Sequence, residues 1–149
     1  MQKFTFFKKF NILANDKITL RILEKNMGDN AILPFYYYSI FDKRDNHAGY
    51  ISVRIGNNIH SYYNGHVGFE VFDGYQGNGY AYEAATLVIE IAKAHGMAKI
   101  YLTCTQSNIA SCKIFEKLSA KKIEIVKIPK ECFFYREGIE MYCIYELEL

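Results

Sequence analysis

Proline is nearly missing from this chain: only Pro34 and Pro129 occur in 149 residues, and no Pro/Gly/Ser-rich linker, internal repeat or low-complexity tract divides it. A chain of this length fills one hydrophobic core and is short for two, so a single domain over residues 1–149 is expected. Cysteine is also sparse. Cys104, Cys112, Cys132 and Cys143 form no C-x-x-C pair, and the four histidines show no paired H-x-x-x-H spacing, so neither a disulfide framework nor a metal site is expected. Cys104 and Cys143 lie in apolar, β-favouring runs, where a reduced thiol acts as a small hydrophobe. No stretch approaches the roughly 18 uninterrupted apolar residues of a membrane-crossing helix. The aromatics of the first ten residues are broken by lysines, unlike a secretory signal. A cytoplasmic protein with no membrane partner is expected. An excess of one charge is lacking too: the formal net charge is +2. That argues against a dedicated nucleic-acid binder, whose surface is dominated by clustered lysine and arginine.

What is present is a globular balance, half apolar and 23% charged, with 13 tyrosines and 11 phenylalanines. Period-two alternation marks a first strand over Ile18–Leu23. The aromatic run Phe35–Phe41, the polar turn Asp42–Asn46 and the run Gly49–Ile55 read as a hairpin. After a turn near Gly56–Asn58, His66–Phe72 reads as a fourth strand, which makes the first half an antiparallel meander. The pattern then changes. Gly74-Tyr75-Gln76-Gly77-Asn78-Gly79 is followed by apolar residues at Ala81, Ala84, Val88 and Ile91, one face of a helix that Gly96 ends. Lys99–Thr105 is a strand, Asn108 a cap for a helix that buries Ala110, Ile114, Phe115 and Leu118, and Ile123–Ile128 and Met141–Leu147 are strands. The class is α/β (α+β), a mixed but mostly antiparallel twisted sheet flanked by helices.

A strand running into a glycine-rich turn and a helix offers backbone N–H groups and the positive end of the helix dipole to an anion. Glycines at 77 and 79 permit close backbone approach. No Gly-Lys-Ser/Thr follows, which excludes a nucleotide-hydrolase loop. Tyr82 and Thr105 fall where a dinucleotide fingerprint needs a small and an acidic residue. An ordinary tight turn is the remaining plain reading.

Gln76-Gly77-Asn78-Gly79-Tyr80-Ala81 resembles the Q/R-x-x-G-x-G/A signature of the GNAT acetyltransferases, and it falls where that family has it, between the fourth strand and a long helix. Leu102–Ser111, with Asn108 and Ser111 as Asn-x-x-Ser, resembles the family's second motif. Together with Tyr80–Ala84, it is closest to the branch that acetylates ribosomal-protein N-termini. The resemblance spans about residues 50–128. It implies acetyl-coenzyme A as co-substrate, with the pyrophosphate on the backbone of Gln76, Gly77, Asn78, Gly79, Tyr80 and Ala81. The pantetheine arm would pair with Phe69 to Val71 and meet Asn108 and Ser111.

The same resemblance implies transfer of the acetyl group to a primary amine by direct attack in a ternary complex. An amine attacks only when neutral, so a base is needed, with Glu70 the first candidate and His66 the second. An oxyanion donor is expected beside a bulge in Gly68–Val71. Many relatives carry a tyrosine acid seven residues after the asparagine. Here that position is Phe115, leaving Ser111 either to replace it or only to support the helix start. The acceptor, a small-molecule or peptide amine, is expected among Tyr36, Tyr37, Tyr38, Tyr50 and Tyr63, with residues 130–142 opposite and Asp42, Asp45 and Glu70 as attracting acids. Homodimers are common among similar enzymes, and the C-terminal strands are the expected pairing elements. Two alternatives stand beside this reading. One is a GNAT-like module that binds acyl-coenzyme A with weak or no turnover. The other is an RNA-binding sheet using its aromatics and Lys121, Lys122, Lys127 and Lys130.

Overall fold

The computed structural model describes residues 4–132, 135–138 and 141–149. Among the described residues, eight strands form two antiparallel sheets. The first sheet runs in sequence order: β1 (Ile12–Ala14), β2 (Ile18–Asn26), β3 (Phe35–Asp42), β4 (His47–Arg54) and β5 (Val67–Val71). The second has the order β6-β8-β7, with β6 (Lys99–Thr105), β7 (Lys121–Val126) and β8 (Tyr142–Glu148). The helices among the described residues are the single turn α1 (Ser61–Asn64), then α2 (Tyr80–Ala94) and α3 (Ile109–Lys117).

The alternation of the meander fixes its two faces. Tyr36, Tyr38, Ile40, Ile51 and Val53 are all 0% exposed and form one core with Ala84, Val88 and Ile91 of α2. Their strand neighbours Tyr37, Tyr50, Ser52 and Arg54 point to the opposite face, which α2 does not cover. The buried phenols are satisfied. Tyr38 Oη donates to Phe10 O at 2.6 Å, and Tyr36 Oη accepts the Phe7 N–H at 2.9 Å and meets His95 Nε2 at 2.8 Å. His95 is also stacked between Phe4 and Phe7.

Three elements escape the sequence patterns: β1, the 3-10 turn Lys8–Phe10 and α1. Each is three or four residues long, below the length at which periodicity carries a signal. The C-terminal strands come out as Lys121–Val126 and Tyr142–Glu148, displaced by one or two residues from the expected spans.

The two sheets share one core, and hydrogen bonds at His66 staple them. His66 N–H donates to Tyr101 O at 2.7 Å, Tyr101 N–H donates to His66 Nδ1 at 2.9 Å, and His66 Nε2 donates to Gly56 O at 2.9 Å. Beyond this staple no ladder joins β5 to β6. At the free edge of β5, the turn after it and the first turns of α2 and α3 line a gap.

Candidate active site

The gap is a cavity of about 500 Å³. Phe69, Glu70 and Val71 form its β5 wall, and Gln76, Gly77, Gly79, Tyr80 and Ala81 line it from the turn and the start of α2. Asn108 and Ser111 close it from α3. Ten of the eleven residues expected around the coenzyme thus converge. Asn78 is the exception: it is exposed, and its Nδ2 donates to Tyr75 O at 2.9 Å, which holds the turn together.

The β5 wall is a strand edge. The Glu70 carbonyl points at β4, where a Cβ on Gly49 would lie 2.1 Å from its oxygen, and Phe72 N–H donates to Ala48 O. By antiparallel alternation, the backbone groups of Phe69 and Val71 face the cavity. Val71 O is taken there by Gln76 Nε2 at 3.0 Å. Gln76 therefore braces the turn against the strand.

At the start of α2, Gly77 and Gly79 have φ of +85° and +77°, and a Cβ on either would meet nothing within 4 Å. Glycine is needed for the backbone conformation and leaves the approach open. The first intrahelical bond runs from Glu83 N–H to Gly79 O, and Gly79 offers no capping side chain. The N–H groups ahead of Glu83 are the orphan donors of a helix N-terminus. The one carboxylate in that turn, Glu83, is held by Asn15 Nδ2 at 3.0 Å and by Lys17 at 3.7 Å.

Asn108 Oδ1 accepts the Ser111 N–H at 3.1 Å, the expected N-cap of α3. That bond leaves the Asn108 amide NH2 as its donor. Ser111 is 8% exposed and lines the cavity beside it.

Several expectations are corrected. His66 cannot be a base: it is 0% exposed, Nδ1 accepts one backbone N–H, Nε2 donates to a carbonyl, and burial lowers its pKa. No bulge interrupts Gly68–Val71, because β4 and β5 pair in unbroken register from Gly49↔Val71 to Val53↔Val67. Phe115, 2% exposed, packs edge-on against Phe69 and Tyr145. Tyr36 and Tyr38 belong to the core under α2, which leaves Tyr37 and Tyr50 on the open face. Tyr63 packs instead against Ile128, Cys132 and Tyr142. Asp42 serves its own turn, accepting from the N–H groups of Arg44 and Asn46, and Asp45 pairs with Arg21 at 3.2 Å. Of the expected acceptor wall at 130–142, residues 133, 134, 139 and 140 lie outside the described residues. All four cysteines are buried and reduced, Cys104 and Cys112 in Sγ–Sγ contact at 3.3 Å, and burial raises the Cys104 thiol pKa. No group of metal-ligating side chains occurs among the described residues, and no described helix is long and apolar enough to cross a membrane.

A strand edge, a bare helix N-terminus and a capping asparagine surround one gap. The acetyltransferase (GNAT) domain model matches residues 5–121, and the chain belongs to that family: it is an acetyl-coenzyme A-dependent N-acetyltransferase. No curated protein matches the chain by sequence. Among solved structures, the spermidine/spermine N-acetyltransferase SpeG from Vibrio cholerae is similar, with TM-score 0.66 and 17% identity over 90% of this chain and 95% of that one. The Salmonella typhimurium enzyme that modifies the N-terminal serine of ribosomal protein L7/L12 aligns with TM-score 0.61 and 16% identity, over 77% and 64%. The microcin C7 self-immunity acetyltransferase MccE, solved with acetyl-CoA and AMP, gives TM-score 0.61 and 17% identity over 77% and 61%.

Proposed function

We propose that this enzyme acetylates a primary amine by direct attack, with acetyl-coenzyme A in the gap between β5 and β6 and the acceptor approaching Glu70. The single observation that carries the reading is the convergence of the β5 edge, the uncapped α2 N-terminus and the Asn108–Ser111 cap on one cavity. The residues fit the coenzyme. The N–H groups at the start of α2 and the open glycine turn suit a pyrophosphate, and Phe69 and Val71 offer a strand edge to the amides of the pantetheine arm. When bound, the coenzyme supplies an acetyl thioester.

Glu70 takes a proton from the acceptor ammonium, directly or through one water. As the N–C bond forms the C–S bond breaks, and the Ser111 hydroxyl donates to the departing sulfur. The balance is one ammonium and one thioester giving one amide, one thiol and one proton. The backbone N–H groups on the cavity edge of β5 are placed to stabilise the carbonyl oxygen as its charge grows, without need of a bulge. The same reading places the enzyme in the cytoplasm, with no metal and no nucleic-acid partner. It also pairs two copies through β7, the outer strand of its sheet, where Ile123 and Ile125 are each 40% exposed.

Calorimetric titration with acetyl-coenzyme A tests the site. Wild type binds, Gly79→Ala retains most of the affinity after its backbone strain, and Gly79→Asp loses binding while folded. Equal binding by the aspartate variant overturns the assignment. Packing of Phe115 in the core favours one second reading, a module that binds the coenzyme with little turnover. Binding without acetylation of any amine selects it.

A further inference from the structure

Among the described residues that line the cavity beside β5, Glu70 carries the only formal charge, and it is negative. Coenzyme A brings two kinds of phosphate: the pyrophosphate, which suits the α2 N-terminus, and a monoester on the 3′-hydroxyl of its adenosine. A phosphate monoester bears about −1.5 to −2 charge at pH 7, and no side chain in the cavity wall answers it.

A cation stands at the margin of the cavity. Lys117 Nζ lies 4.1 Å from the centroid of the Tyr82 ring, inside the roughly 6 Å of a cation–π contact, and Tyr82 lines the cavity. Tyr82 is in the first turn of α2 and Lys117 in the last turn of α3, so the pair bridges the start of one helix and the end of the other. The side chains of α3 lead to the same place. Asn108, Ser111 and Ile114 line the cavity, and Lys117 is the next residue in that row of three-residue steps. At 1.5 Å of rise per residue it stands about 9 Å along the helix axis from Ser111.

The Lys117 charge is not neutralised within the protein. Neither Lys117 nor Lys113, one turn earlier, has an acidic partner among the described residues. Like charges at this spacing repel, and an anion beside them relieves the repulsion. Of the acids adjoining the pair in sequence, Glu83 is held by Asn15 Nδ2 at 3.0 Å and by Lys17 at 3.7 Å, and Glu116 faces Tyr145 Oη at 3.5 Å. The Tyr82 ring also restricts a long, flexible stem, which reduces the side-chain entropy lost when the ammonium meets an anion.

We infer that Lys117, carried on the Tyr82 ring, holds the 3′-phosphate of the coenzyme, and that this contact distinguishes coenzyme A from its 3′-dephospho form. This rests on the acetyl-coenzyme A site proposed above. With the pyrophosphate at Gln76–Ala81, the adenosine continues past it to Tyr82, while the thioester lies at the other end of the α3 row, by Ser111.

Calorimetric titration compares coenzyme A with 3′-dephospho-coenzyme A. Lys117 is exposed, so wild type binds coenzyme A tighter by about 3- to 20-fold, between a screened ion pair and a fully formed charged hydrogen bond. The ratio shrinks at about 1 M salt, where the Debye length is about 3 Å. Lys117→Gln weakens coenzyme A alone and brings the ratio to about one. Tyr82→Phe, which keeps the ring, keeps the ratio, Tyr82→Leu lowers it, and Lys113→Gln leaves it largely unchanged. Equal affinities in wild type, an unchanged ratio in Lys117→Gln, or its loss in Lys113→Gln instead, overturns the inference and leaves the acetyltransferase site intact. Failure of folded wild type to bind either compound overturns both.

Discussion

Two side chains decide how the chemistry is divided. Glu70 lines the cavity at the β5 edge and stands opposite Tyr50 on the open face, a placement that suits a base between two substrates. Glu70→Gln keeps the volume and removes the proton acceptor. The expected result is a kcat lower by about 100- to 10,000-fold with acetyl-coenzyme A affinity unchanged, read by steady-state kinetics and calorimetry; an unaltered kcat assigns the proton elsewhere. Phe115 poses the opposite case. Its ring is buried between Phe69 and Tyr145 and does not line the cavity, so a hydroxyl added by Phe115→Tyr is buried without a designed partner. Such a group costs about 1–3 kcal/mol. The variant should melt lower and show no gain in kcat. A gain in kcat would mean the tyrosine reaches the sulfur after all, and that Ser111 is only a helix support.

At the scale of elements, the staple between β5 and β6 works only with a neutral His66, since Nδ1 must accept the Tyr101 N–H. His95 sits stacked between Phe4 and Phe7 with Nε2 against Tyr36 Oη. Burial lowers both pKa values from an ordinary 6.5. A lowered histidine pKa means that the folded state binds the proton less readily than the unfolded chain. Its stabilisation is complete above about pH 6.5 and declines as pH falls through the lowered folded value. Asp29 and Asp42, held below 3.8 by backbone N–H donors, lose their contribution only at more acid pH. Urea midpoints should therefore fall between pH 7.5 and pH 5, before any carboxylate of this kind titrates. A flat midpoint over that interval would show that both rings tolerate the proton.

At the scale of the molecule, what was legible in the sequence and what was not follow from the range of the interactions. The meander, α2 and α3 carry their own periodicity, and Asn108 announced its cap because capping is local. The convergence on one cavity was legible because Gln76–Ala81 and Asn108–Ser111 are contiguous motifs. The contact of Lys117 with Tyr82 was not, since the two residues lie on different helices and meet only where α2 and α3 pack. The role of His66 was hidden for the same reason, its partners Gly56 and Tyr101 lying 10 and 35 residues away.

Those long-range links also govern how the molecule responds to its coenzyme. Beyond the staple, the two sheets are joined around the gap by α2 and α3, and local opening is easiest where few bonds cross. A ligand that spans β5, α2 and α3 adds contacts at that seam. At 100 times its Kd it stabilises the folded state by about 2.7 kcal/mol, which for a chain of this size raises Tm by roughly 5–11 °C. Hydrogen exchange should locate the gain, with slower exchange at Phe69, at Val71 and across the first turns of α2 and α3, and little change in the β2–β3 ladder. Slowing spread evenly over both sheets would mean that the staple already makes them one cooperative unit. Slowing confined to β2–β4 would move the coenzyme to the other face of the sheet.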